Sequence, residues 1–215
     1  MYQTYVFDLD GTLLNTLNDL ADAVNASLAQ FALPLVSVEQ VRSFIGNGIV
    51  KLIERSIGSE EKNDLFYGVF NYFKGYYKEH NRDKTAPYAG IIEVLEELNK
   101  KGKTCAVVSN KANDAVQQLI PYYFQGLIAV SVGENEAAGV RRKPHPDSLN
   151  KVLKDLGADK KTAVYIGDSE VDIETAANAG VDCISVAWGF KDENFLKEHG
   201  AKKIIKMPQE LLAVE

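Results

Sequence analysis

Cysteine is scarce in this chain, with two in 215 residues, Cys105 and Cys183, each inside an apolar run. No disulfide framework and no cysteine metal cluster can be built from that, and both read as small buried hydrophobes of a reducing compartment. Histidine is also rare; His80, His145 and His199 lack the spacing of a metal-binding set and read as surface or packing residues. Positive charge is nowhere in excess: 24 Lys and Arg stand against 30 Asp and Glu, a net charge of −6. That balance excludes nucleic acid as the main partner, because phosphate-backbone affinity needs clustered cations. No apolar stretch approaches the roughly 20 residues of a membrane span. Met1 leads into Tyr5-Val6-Phe7 without a basic n-region or an apolar h-region, so the expectation is a cytoplasmic protein whose mature form is the whole chain.

What is present is an ordinary globular composition, 46% apolar and 25% charged. A chain of this size buries roughly 70–75% of its unfolded surface and needs no staple to fold. Short β-rich runs at 4–9, 104–109, 127–131, 162–166, 183–186 and 203–205 alternate with amphipathic segments such as 88–101. The alternation predicts an α/β fold, a doubly wound parallel sheet with helices on both faces and ligands at the carboxyl ends of its strands. One gap breaks it. Nothing between Asn15 and Asn81 reads as a strand able to join the sheet, whereas Leu17, Leu20, Val24, Leu28 and Phe31 keep a helical stripe that Pro34 is expected to end. Further helices are expected from Ser37, Asn47 and Ser59. The predicted organisation is a core of 1–15 and 82–215 carrying a helical cap at 16–81. The aromatic-rich stretch from Phe66 to Tyr77 reads as cap core or contact surface.

Chemistry concentrates at the ends of the predicted strands. Asp8-Leu9-Asp10-Gly11-Thr12 places two carboxylates one residue apart where a strand gives way to a loop, and Gly11 can relax the backbone so that both reach one cavity. Two negative charges in one pocket call for a hard divalent cation. Ser109-Asn110-Lys111 ends the second strand with a hydroxyl and free backbone N–H groups suited to a phosphoryl oxygen. Arg141-Arg142-Lys143-Pro144-His145-Pro146 sets cations before two prolines that fix a loop, and Gly167-Asp168-Ser169-Glu170-Val171-Asp172 places acids four residues apart at a helix start.

With these four motifs in this order, each at a strand end, the chain resembles the haloacid dehalogenase superfamily of phosphatases and phosphotransferases. The resemblance implies Asp8 as the nucleophile and Asp10 as the general acid/base. It implies Lys143 as the countercharge, and Ser109, Asn110 and Thr12 around the phosphoryl group. Mg²⁺ would be held by Asp8, the backbone carbonyl of Asp10 and Asp168, with Asp172, or else Glu170, in support. Within the superfamily, Phe44-Ile45-Gly46-Asn47-Gly48 and the following Leu52-Ile53-Glu54-Arg55 resemble the cap of the phosphoglycolate phosphatase family. That likeness implies 2-phosphoglycolate as substrate, with Gly46, Asn47 and nearby Lys51 or Arg55 meeting its carboxylate. Two positions depart from that family: Asn15-Thr16 stands where an acid followed by Ser is common, and Lys51 where a small or apolar residue is frequent. Other small phosphate esters, pyrophosphate and a β-phosphoglucomutase-like transfer are the competing chemistries, and a non-catalytic phosphate-accepting module is disfavoured by Asp10 and the helical insertion. Monomer and homodimer both stay open. Arg141 and Arg142 read as solvated loop charge, and Trp188-Gly189-Phe190 as packing over the site entrance.

Overall fold

A computed structural model describes residues 1–136 and 139–214. The chain divides into two compact units, Met1–Leu14 with Pro87–Glu215, and Asn15–Ala86. In chain order the elements are β1 (Thr4–Phe7), β2 (Leu14–Asn15), α1 (Leu17–Gln30), α2 (Val38–Phe44), α3 (Gly48–Ile57), α4 (Asp64–His80) and β3 (Ala86–Pro87). There follow α5 (Ile91–Lys100), β4 (Thr104–Ala112), α6 (Asn113–Tyr123), β5 (Val130–Glu134), α7 (Asp147–Asp155), β6 (Ala163–Gly167), α8 (Glu170–Ala179), β7 (Asp182–Val186), α9 (Glu193–Glu198) and β8 (Ile204–Ile205).

The larger unit is built on a six-stranded sheet of order β5-β4-β1-β6-β7-β8, parallel throughout. This is the architecture expected from the alternation. Strand side chains alternate between faces, and both faces are covered, which is why these strands read as continuous apolar runs. On one side Phe7, Val107 and Ile166 pack with Leu95 and Leu98 of α5 and Val116 and Leu119 of α6. On the other, Val6, Val108 and Tyr165 pack with Leu149 and Val152 of α7 and Ala176 of α8. Phe7 lies level with Val107 and Ile166 in the two ladders. Asp8 therefore leaves the sheet at its carboxyl edge between two neighbours that end at nearly the same height, which sets up a crevice there. The third expected strand begins later, at Val130, because Leu127 N–H is still bonded to Phe124 at the end of α6. The chain's last leucines form a 3-10 turn, Pro208–Ala213, that buries Leu211 in the core.

The smaller unit is helical, with its core made by Leu20, Val24 and Leu28 of α1, Ile53 of α3, and Phe66, Val69, Phe73 and Tyr77 of α4. The aromatic run thus splits: Phe73 and Tyr77 stack at 5.5 Å inside, while Tyr67 and Tyr72 are exposed. Helix α1 stops at Gln30, ahead of Pro34, because Leu33 N–H turns back to Leu28 O and Ala32 takes a left-handed φ of 52°. Helix α4 starts at Asp64 rather than near Ser59, since Asn63 caps it through Phe66 N–H at 3.1 Å. Residues 82–86 belong with the helices, not with the sheet. Asp19 of α1, 1% exposed, accepts the amides of Lys84 and Thr85, each at 2.9 Å, and ties the returning chain down.

Replacing Asp19 by Ala leaves those two amides without their acceptor. The expected loss is about 2 kcal/mol of unfolding free energy, the cost of stranded buried donors, read by urea denaturation.

Candidate active site

Asp8 ends β1 with its N–H on Ile166 O at 2.8 Å, and its Oδ1 accepts from its neighbour's amide, Leu9 N–H, at 2.7 Å. Lys143, from the loop before α7, reaches into the same crevice. Its Nζ lies 3.0 Å from Asp8 Oδ1, 2.7 Å from Asp172 Oδ1 and 3.1 Å from the Tyr165 hydroxyl, and the side chain is 3% exposed. Three donors meet three acceptors, so the ammonium is fixed in direction as well as place. The Tyr165 hydroxyl donates to Val108 O at 3.0 Å, which turns its lone pairs toward Lys143. The main chain of Lys143 is gripped too: Asn110 accepts from its N–H at 2.8 Å and donates to its carbonyl at 3.0 Å. The side chain of Asn110, a residue expected beside the phosphoryl group, holds the lysine loop.

Asp172 is the acid that orients Lys143. Its other oxygen, Oδ2, accepts from Ser169 Oγ at 2.6 Å and from the amides of Ser169 and Asp168 at 3.1 and 3.2 Å, within a capping box that starts α8. Glu170 Oε2 is buried without a hydrogen-bond partner. Asp168 accepts Phe190 N–H on Oδ2 at 2.7 Å and the Thr12 hydroxyl on Oδ1 at 3.4 Å. Thr12, expected around the phosphoryl group, is fully buried with its hydroxyl on Asp168. Gly11, at φ 84°, has no room for a Cβ because the Asp168 carboxylate occupies that space. Ser109, 4% exposed, accepts the Lys111 amide at 3.3 Å. The Asp10 carboxylate turns to Lys111, whose Nζ is 3.0 Å from both of its oxygens.

Oxygens of Asp8, Asp168 and Asp172 all lie within 4.8 Å of one another. Burial pushes the Asp8 carboxyl up from 3.8 to about 7; Lys143 pulls the other way, and the charges of Asp172 and Asp10 add to the rise. Asp168 is held well above the carboxylate range, first by burial and then by Asp172 and Asp8. For Lys143, burial works against the charge, but Asp172 and Asp8 outweigh it and keep the ammonium protonated. One ammonium among three buried carboxylates leaves negative charge uncompensated, and an all-oxygen donor set is what a hard divalent cation prefers. Asp172 is the most heavily engaged, with three donors on Oδ2 and the Lys143 ammonium on Oδ1, whereas Asp168 accepts a single donor on each oxygen. Asp8 and Asp168 are the ones with capacity to hold such an ion.

Other residues fall elsewhere. Gly46 and Asn47 belong to the helical unit, where Arg55 donates to Phe44 O at 2.6 Å and to Asn47 Oδ1 at 2.8 Å. Lys51 pairs with Glu54 at 2.7 Å and Glu60 at 3.1 Å. Both cations expected to meet a substrate carboxylate have these local partners. Arg141 and Arg142 pair with Asp147 and Glu136, as loop charge does. Among the described residues no histidine joins a metal-binding cluster. Cys105 and Cys183 are free thiols, and among the described residues no helix is long and apolar enough to cross a membrane. Sequence reasoning passed over Tyr165 and quoted Lys111 in its motif without giving its side chain a role. The signal for the first was a lone polar tip inside an apolar strand; for the second, a lysine with 3% side-chain exposure gave none without coordinates.

An acid at the end of the central strand of a parallel sheet, facing a lysine and two further acids from later loops, makes an α/β protein equipped for covalent chemistry on a carboxylate. The chain belongs to the haloacid dehalogenase-like hydrolases, whose family model matches residues 5–186. It is similar to the phosphoglycolate phosphatase of Mesorhizobium japonicum, 34% identical over 195 residues covering 88% of this chain and 84% of that one. The Haemophilus influenzae phosphoglycolate phosphatase is 34% identical over 192 residues, 86% of this chain and 85% of that one. A solved structure from Lactobacillus delbrueckii subsp. bulgaricus, provisionally named a phosphoglycolate phosphatase, matches with a TM-score of 0.92 at 37% identity, covering 98% and 96% of the two chains.

A carboxyl whose pKa is raised on folding stabilises the fold while protonated and loses that contribution as pH rises through the folded value. For Asp8 the window runs from about 4 to about 7. In metal-free buffer the Asp8→Asn variant is expected to gain stability relative to the parent across that window, measured by urea denaturation at half-unit pH steps.

Proposed function

We propose that the protein is a Mg²⁺-dependent phosphomonoester hydrolase that works through a phosphorylated Asp8, with 2-phosphoglycolate as its substrate. The observation that carries the reading is the buried pair of Lys143 with Asp8, 3.0 Å apart at the carboxyl edge of the sheet and backed by Asp168 and Asp172. Asp8, Asp168 and the backbone carbonyl of Asp10 would hold Mg²⁺, which would supply the positive charge that lets an anionic phosphate approach an anionic nucleophile. In the first step an Asp8 oxygen forms a bond to phosphorus, the ester P–O bond breaks, and Asp10 gives its proton to the departing alkoxide. In the second, water attacks phosphorus while Asp10 takes its proton, the bond to Asp8 breaks, and inorganic phosphate leaves. Lys143 offsets the charge that gathers on the transferring oxygens and keeps Asp8 aimed, while the Ser109 hydroxyl and neighbouring amides donate hydrogen bonds to the phosphoryl oxygens.

The helical unit acts in this reading as a cap whose closure excludes bulk water, with the loop at Gly46 and Asn47 selecting the small anion. The names of the M. japonicum and H. influenzae relatives support the choice of substrate. The two free thiols and the −6 charge suit a cytoplasmic enzyme.

Asp8→Asn is expected to abolish phosphate release and Asp10→Asn to lower it by about 10²–10⁴-fold, the usual worth of a general acid/base. EDTA should stop turnover and added Mg²⁺ restore it. In a phosphate-release assay over phosphorylated metabolites, 2-phosphoglycolate is expected to show the highest kcat/KM; a sugar phosphate or pyrophosphate turning over faster would overturn the substrate, and full activity of Asp8→Asn the mechanism.

A further inference from the structure

The turn after β7, Trp188-Gly189-Phe190, takes no part in the chemistry just described, yet both oxygens of Asp168 depend on it. Oδ2 accepts Phe190 N–H at 2.7 Å. Oδ1 faces the Thr12 hydroxyl, and Thr12 is itself held by its carbonyl, which accepts the Trp188 indole N–H at 3.0 Å. Between the two contacts sits Gly189, where a Cβ would collide with the Asp168 side chain and with Gly11 O. Gly11 shows the same constraint from the opposite side, its missing Cβ leaving the space that the Asp168 carboxylate fills. The loops after β1, β6 and β7 therefore converge on one carboxylate, and two glycines are the condition for their closeness. Donors that fix the direction of a metal-binding carboxylate govern its affinity as strongly as the ligand's own position does.

We infer that Trp188, Gly189 and Phe190 form a positioning element that presets Asp168 and thereby sets the affinity of the site for a divalent cation. The inference rests on the reading of Asp168 as a cation-holding residue. Trp188 acts through Thr12; Phe190 acts directly through its amide; Gly189 supplies the clearance. None of the three touches the reacting atoms.

The test is Mg²⁺ binding to the full-length protein without substrate, by isothermal titration calorimetry, for the parent, Asp168→Asn, Trp188→Phe and Gly189→Ala. Trp188→Phe keeps an aromatic ring and loses only the indole donor, so its Kd is expected to rise several-fold. Gly189→Ala drives a methyl group against Asp168, and its Kd is expected to rise by about 10- to 100-fold, the range for outer-shell changes at metal sites. Asp19→Ala, which loosens the helical unit, controls for general destabilisation and should leave Kd within about twofold, while thermal melts report the stability of every variant. A Kd unchanged in both turn variants while Asp168→Asn weakens binding overturns the positioning role alone. Unchanged binding in Asp168→Asn overturns the metal reading beneath it. If Gly189→Ala fails to fold, Trp188→Phe decides the matter on its own.

Discussion

Lys143 brings a single positive charge into a crevice where Asp8, Asp168 and Asp172 bring three negative ones, all of them buried. Isolated charges of this kind cannot be kept out of water unless they are paired and hydrogen-bonded, and much of the surrounding backbone is arranged to meet that condition. The Asn110 side chain clamps the lysine's peptide, Tyr165 points lone pairs at its ammonium, and a helix capping box gathers three donors onto Asp172. Removing any one of these leaves a buried polar group without its complement. The parallel sheet is the frame that makes the convergence possible, because β1, β4 and β6 end side by side and each releases its loop at the same edge.

The imbalance of charge is also what gives the crevice its function. A fully neutralised cluster would be a structural ion pair and nothing more; here burial first, and the neighbouring carboxylates second, raise the Asp8 carboxyl to about 7, and the site calls for a cation. With a cation in place the same carboxyl becomes an ionised nucleophile beside a compensated field, the state that phosphoryl transfer needs. Stability and reactivity are thus opposed at Asp8, the usual condition of a working site.

Much of this was legible beforehand, and the parts that were not share a physical cause. The six sheet strands and the helical character of 16–81 followed from hydrophobic periodicity, which is a local property. Element ends slipped where a helix-terminating turn or a cap competed, as at the start of β5 at Val130 and of α4 after Asn63. Asp8, Lys143, Asp168 and Asp172 drew attention in the sequence because each lies in a short motif that ends or follows a strand. Asn110 and Thr12 were assigned to the phosphate from their motifs, but their hydrogen-bond partners lie 33 and 156 residues away, at Lys143 and Asp168, and no motif encodes a partner at that distance. The same holds for Asp19, whose two amides come from residues 65 and 66 positions on.

Residue order alone determined which groups could do chemistry and that they would stand at the ends of parallel strands, since alternation and turn chemistry act over a few neighbours. Only the tertiary structure decided how each carboxylate is used: Asp172 oriented toward Lys143, Asp10 toward Lys111, and Asp168 set between two glycines by a turn from the far end of the chain. Those assignments depend on which donors meet in space after the sheet has formed, and on the electrostatic necessity of leaving as little buried charge unpaired as the site allows.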